Sequence, residues 1–224
     1  MQFVLVRHAQ PAWVDGGINR DDPRLTDLGR RQALLTAASL AGETFDEVWV
    51  SPARRARETA APFLELTGMQ AAVHDFLLEI RNPDWEGTDH DALEIFAAHR
   101  RRHPEDQWEG LDGGEAVSDF RDRVHTGLTD TLAAMGVAPT PDPLPTWQVE
   151  EPGKRIVVFA HAGTNSMVLS ALLGVAAVPW EWERFVTWHA SISTATAIDM
   201  GDDYAFSLVR LSETRHLPPE LVTR

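Results

Sequence analysis

The sequence predicts an α/β fold with a mostly parallel central sheet, and two observations carry that reading. Phe3-Val4-Leu5-Val6 and Ile156-Val157-Val158-Phe159-Ala160 are unbroken apolar runs of strand length, the pattern of strands covered on both faces. A helix signal from Leu25 to Leu40 is followed by a second strand, Phe45 to Val50, and strand, helix, strand is the repeating unit of a parallel sheet. With 224 residues and 43% hydrophobic composition the chain can bury one full core. Residues 1–224 are therefore read as a single domain, with a helical and loop insertion at about 80–119 capping the sheet edge that carries the site.

The first strand delivers Arg7 and His8 at its carboxyl end, the edge where open α/β sheets bind ligands. A cation beside an imidazole suits an anionic substrate there. Pro11 to Arg24, rich in Gly, Asp and Pro, reads as a loop over that edge. Thr26 then caps a helix with Asp27 at the positive end of its dipole and Leu28, Leu34, Leu35 and Leu40 on its apolar face. After the second strand, Ser51 is expected to cap a helix holding Pro52 in its first turn. Arg54, Arg55 and Arg57 crowd the amino end of that helix, where the macrodipole disfavours cations unless an anion is near. Arg54 and Arg57 read as a solvated basic face. Arg55 leaves the same sheet edge as Arg7 and can offer a second planar fork to a phosphate.

A short third strand over 71–75 leads to Glu79, which lies between Leu78 and Ile80. Such an apolar flank raises a carboxyl pKa and keeps the proton on a general acid; a plain surface glutamate is the alternative. A helix is expected from Ala92 to His103, with Arg100-Arg101-Arg102 as its solvated end, in the segment that reads as a candidate lid. Glu115 to Ala134 is an amphipathic helix with Val117, Phe120, Val124, Leu128 and Leu132 on one face. Pro139 to Gly153 holds five prolines and no apolar period, and reads as an exposed connection. The next buried strand again ends in a histidine, His161, followed by Ala162, Gly163 and a helix from Thr164 to Leu173 whose free N–H groups make a phosphate seat. A short aromatic helix within Trp180 to Trp188 and two closing strands, Ile192 to Asp199 and Tyr204 to Leu211, complete the chain.

A net charge of −14 argues against a nucleic-acid or anionic-membrane partner, so cations for an anionic substrate must be gathered locally. The absence of cysteine removes disulfides, thiolate catalysis and thiolate metal sites. No secretory pattern opens the sequence and no apolar run reaches membrane-spanning length, so a cytoplasmic protein is expected. Nothing in the sequence speaks to oligomeric state.

These segments together resemble the histidine phosphatase superfamily, the phosphoglycerate-mutase-like proteins, over essentially the whole chain. Arg7-His8-Ala9-Gln10 is similar to the family's Arg-His-Gly signature with alanine for glycine, Leu25-Thr26-Asp27-Leu28-Gly29 to its Leu-Thr-x-x-Gly helix start, and Ser51 to Ala60 to its Ser-Pro-x-x-Arg-Ala-x-x-Thr-Ala segment. Glu79 with Trp85-Glu86-Gly87 resembles its acid-donor loop, Gly113-Gly114-Glu115 its Gly-Gly-Glu, and His161-Ala162-Gly163 its second histidine. The resemblance implies a three-layer α/β/α sandwich and a phosphomonoesterase acting on a small phosphorylated metabolite. It implies His8 as nucleophile through a phosphohistidine, Arg7, Arg55, His161 and Ala162 as the phosphate seat, and Glu79 as proton donor, with no metal or other cofactor.

Two departures bear on the pocket rim, for which Gln10, Asn19, Trp85 and His189 are the candidates. Val14 stands where the family often has an asparagine that touches the phosphate, and Asn19 is the expected substitute if the Gly16-Gly17 turn folds back. His189 stands where a small polar residue or asparagine is expected. A phosphoglycerate-mutase type of phosphoryl transfer is the nearest alternative, but the loop after Glu79, Ile80 to Glu86, is poor in the cations a second anionic group needs. A non-catalytic phospho-ligand binder on the same fold has little reason to keep the acid. A two-histidine metal site would be crowded by Arg7 and Arg55.

Overall fold

The structure is a computed structural model describing residues 1–141 and 144–224. Its strands are β1 (Gln2–Arg7), β2 (Val14–Asp15), β3 (Ile18–Asn19), β4 (Glu47–Val50), β5 (Ala71–Val73), β6 (Val137–Pro139), β7 (Trp147–Val149), β8 (Arg155–Ala160), β9 (Ile192–Asp199) and β10 (Tyr204–Glu213). Its helices are α1 (Asp27–Leu40), α2 (Arg54–Thr67), α3 (Ala92–Arg100), α4 (Val117–Ala133), α5 (Ala162–Leu173) and α6 (Glu181–Arg184). The main sheet runs β5-β4-β8-β1-β9-β10-β7-β6, and β2 pairs with β3 in a separate hairpin.

The expected parallel pairing holds for the half of the sheet that carries the site: β5 with β4, β4 with β8 and β8 with β1 are parallel. Beyond β1 the pairings with β9, β10, β7 and β6 are antiparallel, so the sheet as a whole is mixed. Helices cover both faces. Phe3, Leu5, Trp49, Ile156 and Val158 point to one side and pack with Phe120, Val124 and Leu128 of α4 and Val168, Leu169 and Leu172 of α5. Val4, Val6, Val48, Val50, Val157 and Phe159 point to the other and pack with Ala37 and Leu40 of α1 and Ala60 and Phe63 of α2. Each buried side chain of this size contributes about 1.5–3 kcal/mol, which is why the central strands are apolar at every position and not at alternate ones.

Several local expectations shift. Thr26 caps α1 by accepting from the Gly29 N–H, but Leu34 is exposed, and the helix buries small residues, Gly29, Ala33 and Ala37, with Leu40. Ser51 does not cap α2, which begins at Arg54 after Ala53 with no side-chain cap. The stretch Pro139 to Gly153, of which Asp142 and Pro143 lie outside the described residues, is not merely an exposed connection. It completes β6 and contributes β7, each burying a single large residue, Val137 and Trp147, too little to show as a period in the sequence. The 80–119 segment holds α3, which ends at Arg100 and buries no residue, and a 3-10 turn at Pro104–Glu109. Arg100 and Arg102 pair with Glu183 and Glu109. No helix among the described residues is long and apolar enough to cross a membrane.

The start of α1 packs directly on the backbone that follows His8. The Gln10 carbonyl accepts from the Thr26 N–H at 3.0 Å, and a methyl group at Gly29 would overlap that carbonyl oxygen. Gly29→Ala is therefore expected to destabilise the protein by about 1–3 kcal/mol through overpacking, read as a lowered urea midpoint. An unchanged midpoint would show that α1 can retreat from the loop at no cost.

Candidate active site

The pairing of β1 with β8 places Arg7 opposite Ala160, so the next residues, His8 and His161, emerge side by side. The His8 N–H donates to the Ala160 carbonyl at 2.9 Å, and the two imidazole centroids lie 5.1 Å apart. His8 is buried, and its Nδ1 lies 2.9 Å from its neighbour's carbonyl, Ala9 O. A carbonyl only accepts, so Nδ1 carries the hydrogen and Nε2 keeps a free lone pair. Burial, reinforced by Arg55, His161, Arg7 and His189, holds the His8 pKa well below the usual histidine range, so the ring is neutral at physiological pH.

Arg7, Arg55 and His161 surround this ring. Arg7 Nη1 donates to the Thr187 carbonyl at 2.6 Å and Nη2 lies 3.2 Å from His189 Nε2. Burial lowers the Arg7 pKa to about 10, against the pull of Glu79, which leaves it a cation. Arg55, buried in the first turn of α2, lies 3.7 Å from Asp22. The backbone on either side is tied together by Thr59, whose hydroxyl accepts from the Ala9 N–H and donates to the Arg55 carbonyl. His161 Nε2 lies 2.8 Å from Ser51 Oγ, so Ser51 orients a histidine rather than a helix. Burial, with Arg55 and Arg7 behind it, depresses the His161 pKa as it does that of His8. Arg7 Nε, Arg55 Nε and His161 Nδ1 are all buried and have no hydrogen-bond partner among the described residues. Buried polar nitrogens are otherwise almost always satisfied. Three such nitrogens beside one neutral imidazole make a ready seat for the oxygens of an anion.

Glu79 reaches this cluster from the other side, and its surroundings differ from the apolar flank expected from Leu78 and Ile80. Its carboxyl oxygens accept from the N–H groups of Gly163 and Thr164, at 2.8 and 3.1 Å, and from the Thr164 hydroxyl at 3.3 Å. The first turn of α5 is thus largely committed to Glu79, and of the N–H groups expected to seat a phosphate Ala162 is the one left unbonded among the described residues.

Of the four rim candidates, Gln10, Asn19 and Trp85 find their partners elsewhere. Gln10 accepts from the Thr26 hydroxyl at 2.8 Å and serves the start of α1. Asn19 does not fold back to replace an asparagine at Val14: its side-chain amide donates to Thr88 Oγ1 and the His90 carbonyl, binding the β2–β3 hairpin to the 80–119 segment. Val14 itself is exposed. Trp85 is buried edge-on to Phe96 and lines a cavity of about 460 Å³ with Pro83, Ile95, His99 and Leu111, whose walls include none of the residues around His8. His189 is the rim candidate that stays at the site: its ring lies 5.6 Å from that of His8, its Nε2 accepts from the Arg7 guanidinium and its Nδ1–H donates to Thr223 Oγ1 at 3.0 Å. Sequence reasoning missed Trp13. Its ring lies 4.7 Å from the Arg55 guanidinium and edge-on to His8 at 6.4 Å, and it is partly exposed, so it walls the site. A lone tryptophan in an otherwise polar loop five residues after His8 was the available signal.

The family described as the histidine phosphatase superfamily (branch 1) matches residues 3–210. Phosphoserine phosphatase 1 of Hydrogenobacter thermophilus is 30% identical over 221 residues, 97% of this chain and 94% of that protein. Glucosyl-3-phosphoglycerate phosphatase of Mycobacterium tuberculosis is 28% identical over 183 residues, 80% of this chain and 78% of its own. The solved structure of a mycobacterial glucosyl-3-phosphoglycerate phosphatase complexed with VO3 superposes with a TM-score of 0.71 at 25% identity, over 95% of this chain and 99% of that one.

The buried histidines set a pH dependence of stability. Burial foremost, then Arg7, lowers the His189 pKa to about 3, against about 6.5 in an unfolded chain. Between those values the unfolded chain binds the extra proton, so the stability contribution is complete above pH 6.5 and is lost as the pH falls. From pH 7 to pH 5 the loss is about 2 kcal/mol for this one group. The drop in unfolding free energy over that interval, measured in urea, is expected to be smaller by about this amount in His189→Gln; an identical drop in both proteins would exclude a neutral buried His189.

Proposed function

The chain belongs to the histidine phosphatase superfamily, branch 1, and from that premise we propose that it hydrolyses a small phosphomonoester through a phosphohistidine formed on His8 Nε2. The observation that supports this most is the set of three buried, unpartnered nitrogens, on Arg7, Arg55 and His161, gathered around a neutral imidazole whose Nε2 is free. Nε2 attacks phosphorus without first losing a proton, which suits histidine to a covalent step. As the P–N bond forms, the bond from phosphorus to the leaving oxygen breaks, and charge spreads over the three equatorial oxygens that the two guanidinium groups and His161 are placed to hold.

In this reading Glu79 passes a proton to the leaving oxygen. In the second half it takes a proton from the water that attacks the phosphohistidine; inorganic phosphate departs and His8 and Glu79 return to their starting states. Two fixed guanidinium groups supply the charge that metal ions supply in other phosphoryl-transfer sites. The relatives named for phosphoserine and glucosyl-3-phosphoglycerate support a small phosphorylated metabolite as substrate. Hydrolysis is favoured over return of the group to a second substrate by the scarcity of cations after Glu79. Arg81, two residues after Glu79, is the one cation between Ile80 and Glu86, and its side chain is mostly exposed, 3.6 Å from Glu115.

Two results are expected. Hydrolysis of p-nitrophenyl phosphate persists in excess chelator, falls at least about a thousandfold in His8→Ala, and leaves phosphate bound to His8 in acid-sensitive, base-stable form in the wild type on rapid quenching. A phosphatase activity that survives His8→Ala would sink the covalent route. Gly163→Ala, whose new methyl would stand 2.5 Å from Glu79 Oε1, pushes the carboxyl off the end of α5. It is expected to cost about tenfold to a hundredfold in kcat with little change in thermal stability. Full activity in that variant would show that the position of Glu79 is immaterial.

A further inference from the structure

Glu79 is held by its side chain at α5, but what fixes its backbone is a second arrangement outside the site. Residues 75–81, which bring Glu79 to the start of α5, form a 3-10 turn, Asp75–Leu77, followed by chain without a strand partner. The carbonyls along such a segment need donors. One side chain provides them: Arg123 of α4 donates from Nη1 to the carbonyls of Phe76 at 3.2 Å and Leu78 at 3.1 Å, and from Nη2 to the carbonyl of Glu79 itself at 3.3 Å. The same guanidinium is gripped from its other edge by Glu115, with Nε to Oε1 and Nη2 to Oε2 both at 2.9 Å.

Glu115 also holds the far end of the segment. Its Oε2 accepts from the Arg81 N–H at 3.0 Å, while its own N–H donates to the Arg81 carbonyl at 2.7 Å. Its side chain is only 3% exposed, and burial would raise its pKa, yet Arg123 and the Arg81 N–H hold it below the usual carboxyl range. A buried carboxylate locked bidentately to a guanidinium that also donates to the carbonyls of Phe76, Leu78 and Glu79 is more than a surface ion pair. Resting on the assignment of Glu79 as proton donor, we propose that Arg123 and Glu115 are positioning residues for that donor. Together they clamp the backbone on both sides of Glu79, so that its carboxyl meets the leaving oxygen in line with the bond that His8 breaks. Only the planar fork of arginine reaches Glu115 and the carbonyls at once, so lysine is no substitute.

A proton donor matters in proportion to how poor the leaving group is, which gives a readout that a merely structural role would not move. The ratio of kcat/KM for p-nitrophenyl phosphate to that for phenyl phosphate is measured in wild type, Glu79→Gln, Arg123→Gln, Arg123→Lys and Glu115→Gln. The positioning role predicts that the ratio rises about tenfold or more in Glu79→Gln, moves the same way in Arg123→Gln and Glu115→Gln, and is not restored in Arg123→Lys. Equal losses on the two substrates in both the Arg123→Gln and Glu115→Gln proteins, alongside a raised ratio in Glu79→Gln, would overturn the proposal while leaving Glu79 in its role. Recovery of the wild-type ratio by Arg123→Lys would overturn it as well, by showing that charge alone is needed. An unchanged ratio in Glu79→Gln would remove the proton-donor assignment and this proposal with it. Should Arg123→Gln fail to fold, Glu115→Gln carries the comparison.

Discussion

The parallel pairing of β1 with β8 is the constraint on which the rest depends. Because Arg7 registers with Ala160, the two chains leave the sheet at the same height, and the two imidazoles that follow stand 5.1 Å apart. A slip of one residue would send every side chain of β1 to the opposite face and part Phe3 and Leu5 from the α4–α5 layer. The hydrophobic cores therefore specify the register, and the register specifies the chemistry. Each remaining group is hung from this pair: Arg55 through Thr59 to Ala9, Ser51 on His161, Glu79 on the first turn of α5, and Arg7 against Thr187 and His189.

A chain with net charge −14 nonetheless concentrates a buried and a half-buried arginine and three buried histidines in one place. Burying that much positive charge would be prohibitive, and the protein limits it in two ways. The imidazoles are kept neutral, so only the arginines are charged. Arg7 is then paired with a carbonyl and a histidine lone pair, while Asp22 and Glu79 supply nearby negative charge for the two arginines. Among the buried nitrogens of these groups, one on each of Arg7, Arg55 and His161 has no hydrogen-bond partner among the described residues. The site is thus poised for an anion within a chain whose net charge is −14.

The central chemistry was legible because it lies on buried strands and helix starts, where a histidine or arginine after an apolar run is conspicuous. Arg7, His8, Arg55 and His161 are brought together by elements the sequence predicts. Legibility failed where long-range hydrogen bonding decides. Asn19 is an attractive phosphate ligand by its type and position, yet its amide serves Thr88 and His90, residues some seventy positions away. Ser51 looks like a helix cap, and only the packing of β8 against β4 shows that its hydroxyl meets His161. Trp13 was overlooked because an aromatic in a loop has no period, and Trp85, near an acid in sequence, packs on Phe96 and lines a separate cavity, which sequence position does not reveal. The strands β6 and β7 escaped for a related reason: each buries only one large side chain.

The central place of β1 also has a consequence for synthesis. Residues 2–7 pair on one edge with residues 155–160 and on the other with residues 192–196, so the first strand waits for partners made much later. At cellular rates of elongation that wait is on the order of ten seconds. Throughout it, Phe3-Val4-Leu5-Val6 is an apolar strand with both hydrogen-bonding edges open, the kind of segment that associates with other chains. The strand that leads into His8 is therefore, in the nascent chain, an element in need of shelter, and His8 and His161 meet only when the distant strands arrive to enclose it.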